Sequence, residues 1–431
     1  MKILQHKIPD TWQWIEISQI GNIETGTTPS KKDKSNYGVD FPFYKPTELE
    51  AGINVRESRE RLSEKGMKKA RLLPKNSILV TCIGATIGKT GIIRNEGASN
   101  QQINSIIPVG SINPNFVYYQ VICPFFQNQI IKKSSSTTLP ILNKSRFSKL
   151  LFALPSQKEQ NRIVKKIEEL FSDLDKTTED LAKTQEQLKI YRQAVLKAAF
   201  EGKLTETWRV QNSIELLFEE VLLKDITDII MGQSPPSSTY NTNKVGLPFY
   251  QGKKEFGDLF PTPEKYCSEP KKIAESNDIL ISVRAPVGPT NICKEKSCIG
   301  RGLAAIRTKE KIEKYYLFYY LKYFVFDLIE KSTGTTFNAI SKDTLESFKV
   351  SLFSLQEQQQ IIKEIESRLS VCDKLEETIE QSLKKIEYLR QSILKKAFEG
   401  KLVPQDPNDP PAGELLKQIK IEKDKMSKNG K

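Results

Sequence analysis

A repeat constrains this chain more than any other feature. Residues 156–204 read SQKEQNRIVKKIEELFSDLDKTTEDLAKTQEQLKIYRQAVLKAAFEGKL. Residues 354–402 read SLQEQQQIIKEIESRLSVCDKLEETIEQSLKKIEYLRQSILKKAFEGKL. The offset is 198 without a gap (354 minus 156), and 21 of 49 aligned positions are identical. Both copies end on Ala-Phe-Glu-Gly-Lys-Leu (199–204 and 397–402). Whatever one copy folds into, the other folds into as well.

The copies are helical. Ile167, Leu174, Leu181, Leu188 and Val195 recur every seven residues, as do Ile365, Cys372, Ile379, Ile386 and Ile393. A second stripe starts at Ile163 and Leu170 and at Ile361, with Leu375 and Leu389 further on. No Gly or Pro breaks either run, and Gly202 and Gly400 follow where helix C-termini favour glycine. This is a coiled-coil pattern. About 45 residues at about 1.5 Å each make a rod of roughly 65 Å. Two equal heptad helices separated by a globule pair within the chain, antiparallel if a twofold relates them. Pairing between chains is the alternative.

The segments before the helices match too, with small gaps. Pro42-Phe43-Tyr44 answers Pro248-Phe249-Tyr250, and Gly26 answers Gly232. Ser77-Ile78-Leu79-Val80 answers Asp278-Ile279-Leu280-Ile281, and Ser136-Thr137-Thr138 answers Gly334-Thr335-Thr336. After the two Gly-Lys-Leu endings come Glu215-Leu216-Leu217 and Glu414-Leu415-Leu416. The order is globule, helix, globule, helix, and a cyclic order brings the C-terminal tail back near the N-terminus. The globules carry short β-like runs at 77–83, 102–109, 278–285 and 302–308, with helical segments near 115–132 and 312–331. The expected fold class is α+β: two β-rich domains joined by two long helices that pack as an antiparallel intramolecular coiled coil, with a pseudo-twofold cyclic repeat. The expected boundaries are 1–153, 154–204, 205–352, 353–402 and a tail from 403 to 431.

The 66 Lys and Arg against 53 Asp and Glu give a net charge of +13 and a pI near 9.2. An anionic partner follows, nucleic acid first. The first residues lack a signal peptide's apolar core, and no window of about 18 apolar residues exists. The six cysteines are scattered without a Cys-x-x-Cys pair. A reducing compartment, the cytoplasm, is expected. The single histidine, His6, argues against triad or histidine–metal chemistry.

The stretch TCIGATIGKTG (81–91) resembles a phosphate-binding loop, but three residues separate Gly84 from Gly88 where four are needed. The equivalent stretch keeps Gly288 and has Pro289 in place of Lys89. A structural turn is expected, with Lys89 available to a DNA phosphate. Asn113-Pro114-Asn115-Phe116 and Asp409-Pro410-Pro411-Ala412 both fail the amino-methyltransferase loop pattern, and no nuclease constellation occurs.

Polar, basic and aromatic residues remain at matching points. These are Tyr44, Lys45, Lys89, Asn100, Gln101 and Gln102 in the first globule, and Tyr250, Gln251, Lys253, Lys254, Arg284 and Arg301 in the second. Asn and Gln pair bidentately with adenine and Arg with guanine. Lys31, Lys32, Lys34, Lys132 and Lys133 suit phosphates. Frame residues agree between the globules while turn residues differ, as expected of two related readers with different letters.

With these residues in view, the chain resembles the specificity subunit of type I restriction–modification systems over nearly its whole length. The resemblance rests on Glu159-Gln160 and Glu357-Gln358, on the Arg-Gln-x-x-Leu-x-x-Ala-Phe-x-Gly-Lys-Leu endings, on the Pro-Phe-Tyr steps, and on the tail Leu402-Val403-Pro404-Gln405-Asp406-Pro407-Asn408-Asp409. It implies two target-recognition domains, each reading half of a split double-stranded DNA site, with the helices as a ruler. It implies two modification subunits per chain, which bring S-adenosylmethionine, and restriction subunits, which bring ATP and Mg. This chain itself would hold no cofactor and no catalytic site. Two other readings stay open: a stand-alone enzyme (a fused methyltransferase–nuclease or an NTPase), and a coiled-coil scaffold that binds any DNA.

Overall fold

The computed structural model describes residues 6–135, 139–330 and 339–429. The Ser136-Thr137-Thr138 and Gly334-Thr335-Thr336 steps lie outside the described residues. The chain forms two compact units, Met1–Asp180 with Gln381–Lys431, and Leu181–Glu380.

In the first unit a four-stranded antiparallel sheet runs in the order Gly21–Thr25, Ile103–Pro108, Ile78–Thr81, Thr90–Ile92. A three-stranded sheet sets Tyr37–Tyr44 antiparallel to Glu60–Leu62 and parallel to Ala98–Ser99. The second unit repeats the plan. Its four-stranded sheet runs Thr227–Met231, Leu303–Thr308, Ile279–Ser282, Thr290–Ile292. There Leu247–Tyr250 lies parallel to Ser297–Ile299.

The unbroken apolar runs have a physical reason. Ile78 and Val80 face one core with Ile106, Phe116 and Phe126, while Leu79 faces another with Tyr44, Leu49 and Val55. Ile279 and Ile281 against Leu280 divide in the same way. A strand covered on both faces has no polar alternation.

The long helices span Gln157–Phe200 and Leu355–Phe398, 44 residues each, or about 66 Å. Each unit contains one end of each helix, and the pairing is antiparallel in both. Arg192 bonds Asp373 at 2.7 Å and Glu376 at 3.0 Å in the second unit. Arg390 bonds Asp175 in the first. These two pairs are the same pair under the 198-residue offset. The seam residues Ile167, Leu188, Val195, Ile365, Cys372, Ile379 and Ile386 are buried.

The second stripe differs from expectation: Leu375 and Leu389 are exposed at 44% and 49%. The companion row lies four residues after the seam, at Phe171, Thr178, Gln185 and Arg192 and at Leu369, Glu376, Leu383 and Arg390, all half-buried. A two-helix pair buries only one narrow stripe fully, so this second row can be polar and end in the bridging arginines.

The shared endings are helix stops. Gly202 N–H donates to Ala199 O at 3.1 Å and Lys203 N–H to Ala198 O at 2.9 Å. Gly400 and Lys401 make the same two bonds, to Ala397 and Lys396. This double bond pattern needs a left-handed residue, and φ is 70° at Gly202 and 69° at Gly400. Phe200 packs among Tyr316, Tyr320 and Phe324, and Phe398 against Phe116.

The shared Glu-Gln starts are anchors. The Gln160 side chain accepts from Asn113 N–H at 3.1 Å and donates to Pro155 O at 3.2 Å. Gln358 accepts from Glu313 N–H at 2.8 Å and donates to Phe353 O at 2.8 Å. Each buried amide ties its helix to the preceding domain. Glu357 is held by buried Arg209 and, at 2.7 Å, by Thr205. Glu159 is held instead by the neutral amide of Gln405.

The tail wraps the first unit. Asp409 pairs with Arg162 at 2.6 Å, and Ala412 N–H donates to Thr11 O at 3.0 Å. The helix Ala412–Asn429 then buries Leu415 and Ile419, and Lys423 donates to Ser18 O and Gly21 O. The likeness of Glu414-Leu415-Leu416 to Glu215-Leu216-Leu217 is one of sequence alone, because Leu216 and Leu217 lie exposed ahead of the strand Phe218–Leu222.

Candidate nucleic-acid interface

The near-phosphate-loop is a packed turn. Gly84 and Gly88 have φ of 99° and 89°. A Cβ on Gly88 would sit 2.2 Å from Gln127 Oε1, and Gln127 donates to Gly88 O. Lys89 is engaged by Glu50 at 2.7 Å, and that contact holds the Glu50 carboxyl below its ordinary range. Gly288 plays the same part, with φ 104° and Val325 against it. The glycines let a helix approach the turn, and the Gly84, Ile87, Gly88 and Lys89 N–H groups are spent on backbone carbonyls.

Two of the twelve candidates belong to the core. Tyr44 and Tyr250 are fully buried, and burial pushes both phenols up to about 12. The Tyr44 hydroxyl donates to Asn95 O at 3.1 Å. Both are frame residues, because the strands carrying them run parallel to the strands that lead into the turns at 100–103 and 300–303. Lys45 is tied to Glu60, and Lys254 to Glu264. Asn100 is buried and locked to Gln102: its Nδ2 donates to Gln102 Oε1 at 2.9 Å, and Gln102 N–H donates back at 3.2 Å.

The remaining candidates are surface groups, and the second domain gathers four of them. Gln251, Lys253, Arg284 and Arg301 line one cleft of about 290 Å³, with Ser234 and Ser282. None of the lining residues is acidic. In the first domain Gln101 is exposed at the tip of the equivalent turn, and the Thr28 hydroxyl donates to its Oε1. Lys132, Lys133, Arg146 and Lys149 gather around a shallow hollow nearby in sequence. Thr28 and Ser234 were missed from sequence, although each sits two residues beyond the Gly26 and Gly232 match that carries the repeat.

His6 is structural: it hydrogen-bonds Phe398 O at 2.8 Å and stacks edge-on between Trp14 and Phe125. All six cysteines are buried and free of disulfides. Among the described residues no group of three or more His, Cys, Asp or Glu is placed to hold a metal ion, and no helix is long and apolar enough to cross a membrane.

Residues 9–188 and 216–385 match the type I restriction modification DNA specificity domain. The putative type I restriction enzyme MjaX specificity subunit of Methanocaldococcus jannaschii is 32% identical, over 92% of this chain and 95% of its own. The HsdS subunit of Thermoanaerobacter tengcongensis has a crystal structure that superposes with a TM-score of 0.62 at 28% identity, over 92% of this chain and 99% of that one. A chain solved in work on complex assembly and conformational transition of the type I R-M system superposes with a TM-score of 0.75 at 29% identity, over 92% and 100%.

Proposed function

The chain belongs to the type I restriction modification DNA specificity family, and from that premise we propose how its parts share the work. It is a DNA-specificity subunit: each domain reads one half of a bipartite double-stranded site. The observation that carries this reading is the reuse of one turn frame in both domains with different exposed side chains on it, Gln101 in one and Arg301 in the other. A scaffold binding any DNA has no use for divergent polar letters on a common frame. Bases are read in the major groove by such amide and guanidinium groups, and lysines such as Lys253 and Lys132 hold phosphates.

The chain supplies recognition, and its partner subunits supply chemistry. S-adenosylmethionine, ATP and Mg are assigned to the modification and restriction subunits. Two modification subunits dock per chain, one on each repeat. Supporting this, an exposed apolar pair recurs at equivalent positions: Ile190-Tyr191 on the first long helix and Tyr388-Leu389 on the second.

The test is to map methylated bases genome-wide in the native cell, with and without this gene. A split motif of fixed gap should vanish on deletion. An unchanged methylation map alongside purified chain that shows no sequence preference would sink the reading. The helices as ruler give a second expectation. Shortening one long helix by a few residues should change the gap and leave both half-site sequences as they were. A change in either half-site would overturn the ruler.

A further inference from the structure

We infer that residues 101 and 301 are equivalent base-reading positions, with Gln101 set to adenine in one half-site and Arg301 to guanine in the other. The inference rests on the DNA-specificity reading and deepens it.

The two turns are built by the same bonds. Asn100 N–H donates to Tyr44 O at 3.1 Å, and Gly300 N–H to Tyr250 O at 2.8 Å. Ile103 N–H closes the first turn on Asn100 O at 3.2 Å, and Leu303 N–H the second on Gly300 O at 3.0 Å. Gly26 N–H donates to Ile103 O at 3.0 Å, and Gly232 N–H to Leu303 O at 2.8 Å. A Cβ on Gly26 would lie 2.0 Å from Asn100 O, and one on Gly232 2.1 Å from Gly300 O. The glycine segment thus presses on each turn from behind. The residue at the tip, 101 or 301, is exposed, and the strand behind it is buried. Backbone position is therefore fixed while the tip side chain is free to change.

The side chains differ in what they offer. Arg301 presents a planar fork of donors, and no carboxylate lies within ion-pair distance of it among the described residues. The Ser234 hydroxyl accepts from Arg301 N–H at 3.3 Å and steadies the turn, leaving the guanidinium unused. Two parallel donors match guanine O6 and N7. Gln101 is held by the Thr28 hydroxyl through its Oε1, which turns its NH2 outward. The carbonyl keeps a second lone pair, so the amide offers one donor and one acceptor, the match for adenine N7 and N6. Gln102 is set back from the tip: it is half-buried, and its side chain and backbone N–H are both bonded to the buried Asn100, whereas Gln101 is exposed. A phosphate contact at Arg301 would weaken binding to every sequence alike, whereas a base contact loses discrimination at one pair.

The test uses the full chain in its native complex. The readouts are the methylated motif in the cell and binding to duplexes in which each base pair of the motif is replaced in turn. Arg301→Lys should lower discrimination at one G·C pair of one half-site by roughly 10- to 100-fold, with affinity for unrelated DNA retained. Gln101→Ala should do the same at an A·T pair of the other half-site. Lys253→Gln should weaken binding to all sequences alike and reduce the salt slope by about one. Both tips are exposed, so melting temperatures should stay within a degree or two of the parent. An unchanged motif in both tip variants would overturn the inference, and so would effects of both on one half-site, or an equal loss on every sequence. A parent chain without sequence preference would overturn the functional reading itself, so the two failures are distinguishable.

Discussion

Arg209→Ala should destabilise the second unit by about 3–5 kcal/mol, the usual cost of removing one partner from a buried ion pair. The Arg209 and Glu357 side chains are 8% and 2% exposed, and Arg209 also donates to Thr205 at 2.9 Å. Removing the guanidinium strands a buried carboxylate at the start of a long helix, where Gln358 next to it holds the domain. Glu357→Gln should be damaging too, because it leaves the arginine buried without a counter-charge. The equivalent change in the first unit should behave oppositely. Glu159 has a neutral partner in Gln405, and burial raises its carboxyl above the ordinary range. A raised folded-state pKa favours the protonated form. The stability it contributes is present below the ordinary value near 4.3 and is lost as pH rises through the raised one. Glu159→Gln keeps a neutral group there, so at neutral pH it should be harmless or mildly stabilising, and it should flatten the first unit's stability profile above about pH 4. Hydrogen exchange of Ile279–Ser282 against Ile78–Thr81 separates the units. Loss of protection under about 1 kcal/mol in Arg209→Ala, or a Glu159→Gln as damaging as Glu357→Gln, would refute this account.

Much of the architecture was legible because periodicity and duplication constrain each other. The seam residues, the glycine stops and the four central β-runs fall where the sequence placed them. The second helical stripe did not. Leu375 and Leu389 look like seam residues by hydropathy, but the partner helix reaches the opposite flank, where Glu376 and Arg390 lie. Pairing geometry, absent from one sequence, decides which flank is covered. The turn residues divided for a similar reason. Tyr44 follows the same Pro-Phe step as a surface reader would, yet the parallel pairing of Phe43 with Ala98 carries it into the core. Asn100, Gln101 and Gln102 were inseparable in sequence, and the hydrogen bonds between the outer two leave only the middle one exposed.

The exposed apolar pairs lead to the other large effect. Ile190 and Tyr388 are 63% and 77% exposed and correspond under the 198-residue offset. A buried seam needs apolar residues, but a solvated helix face does not, and aromatic residues with neighbouring aliphatics are what protein interfaces concentrate at their centres. If each pair anchors one modification subunit, Tyr388→Asp should remove one of two. Ile190→Asp should remove the other, and the double variant should bind none. Burying an unpaired carboxylate at such a centre costs several kcal/mol, so each single loss should exceed about 100-fold in affinity. The helix itself should be unaffected, because neither side chain touches the seam and Asp at an exposed helical site costs well under about 1 kcal/mol. Mass measurement of the assembled complex reads the stoichiometry directly, and circular dichroism confirms the helices. Two bound subunits in the double variant would place the docking surface elsewhere. Loss of both subunits in either single variant would mean that the two sites are coupled and do not act as independent copies of one repeat.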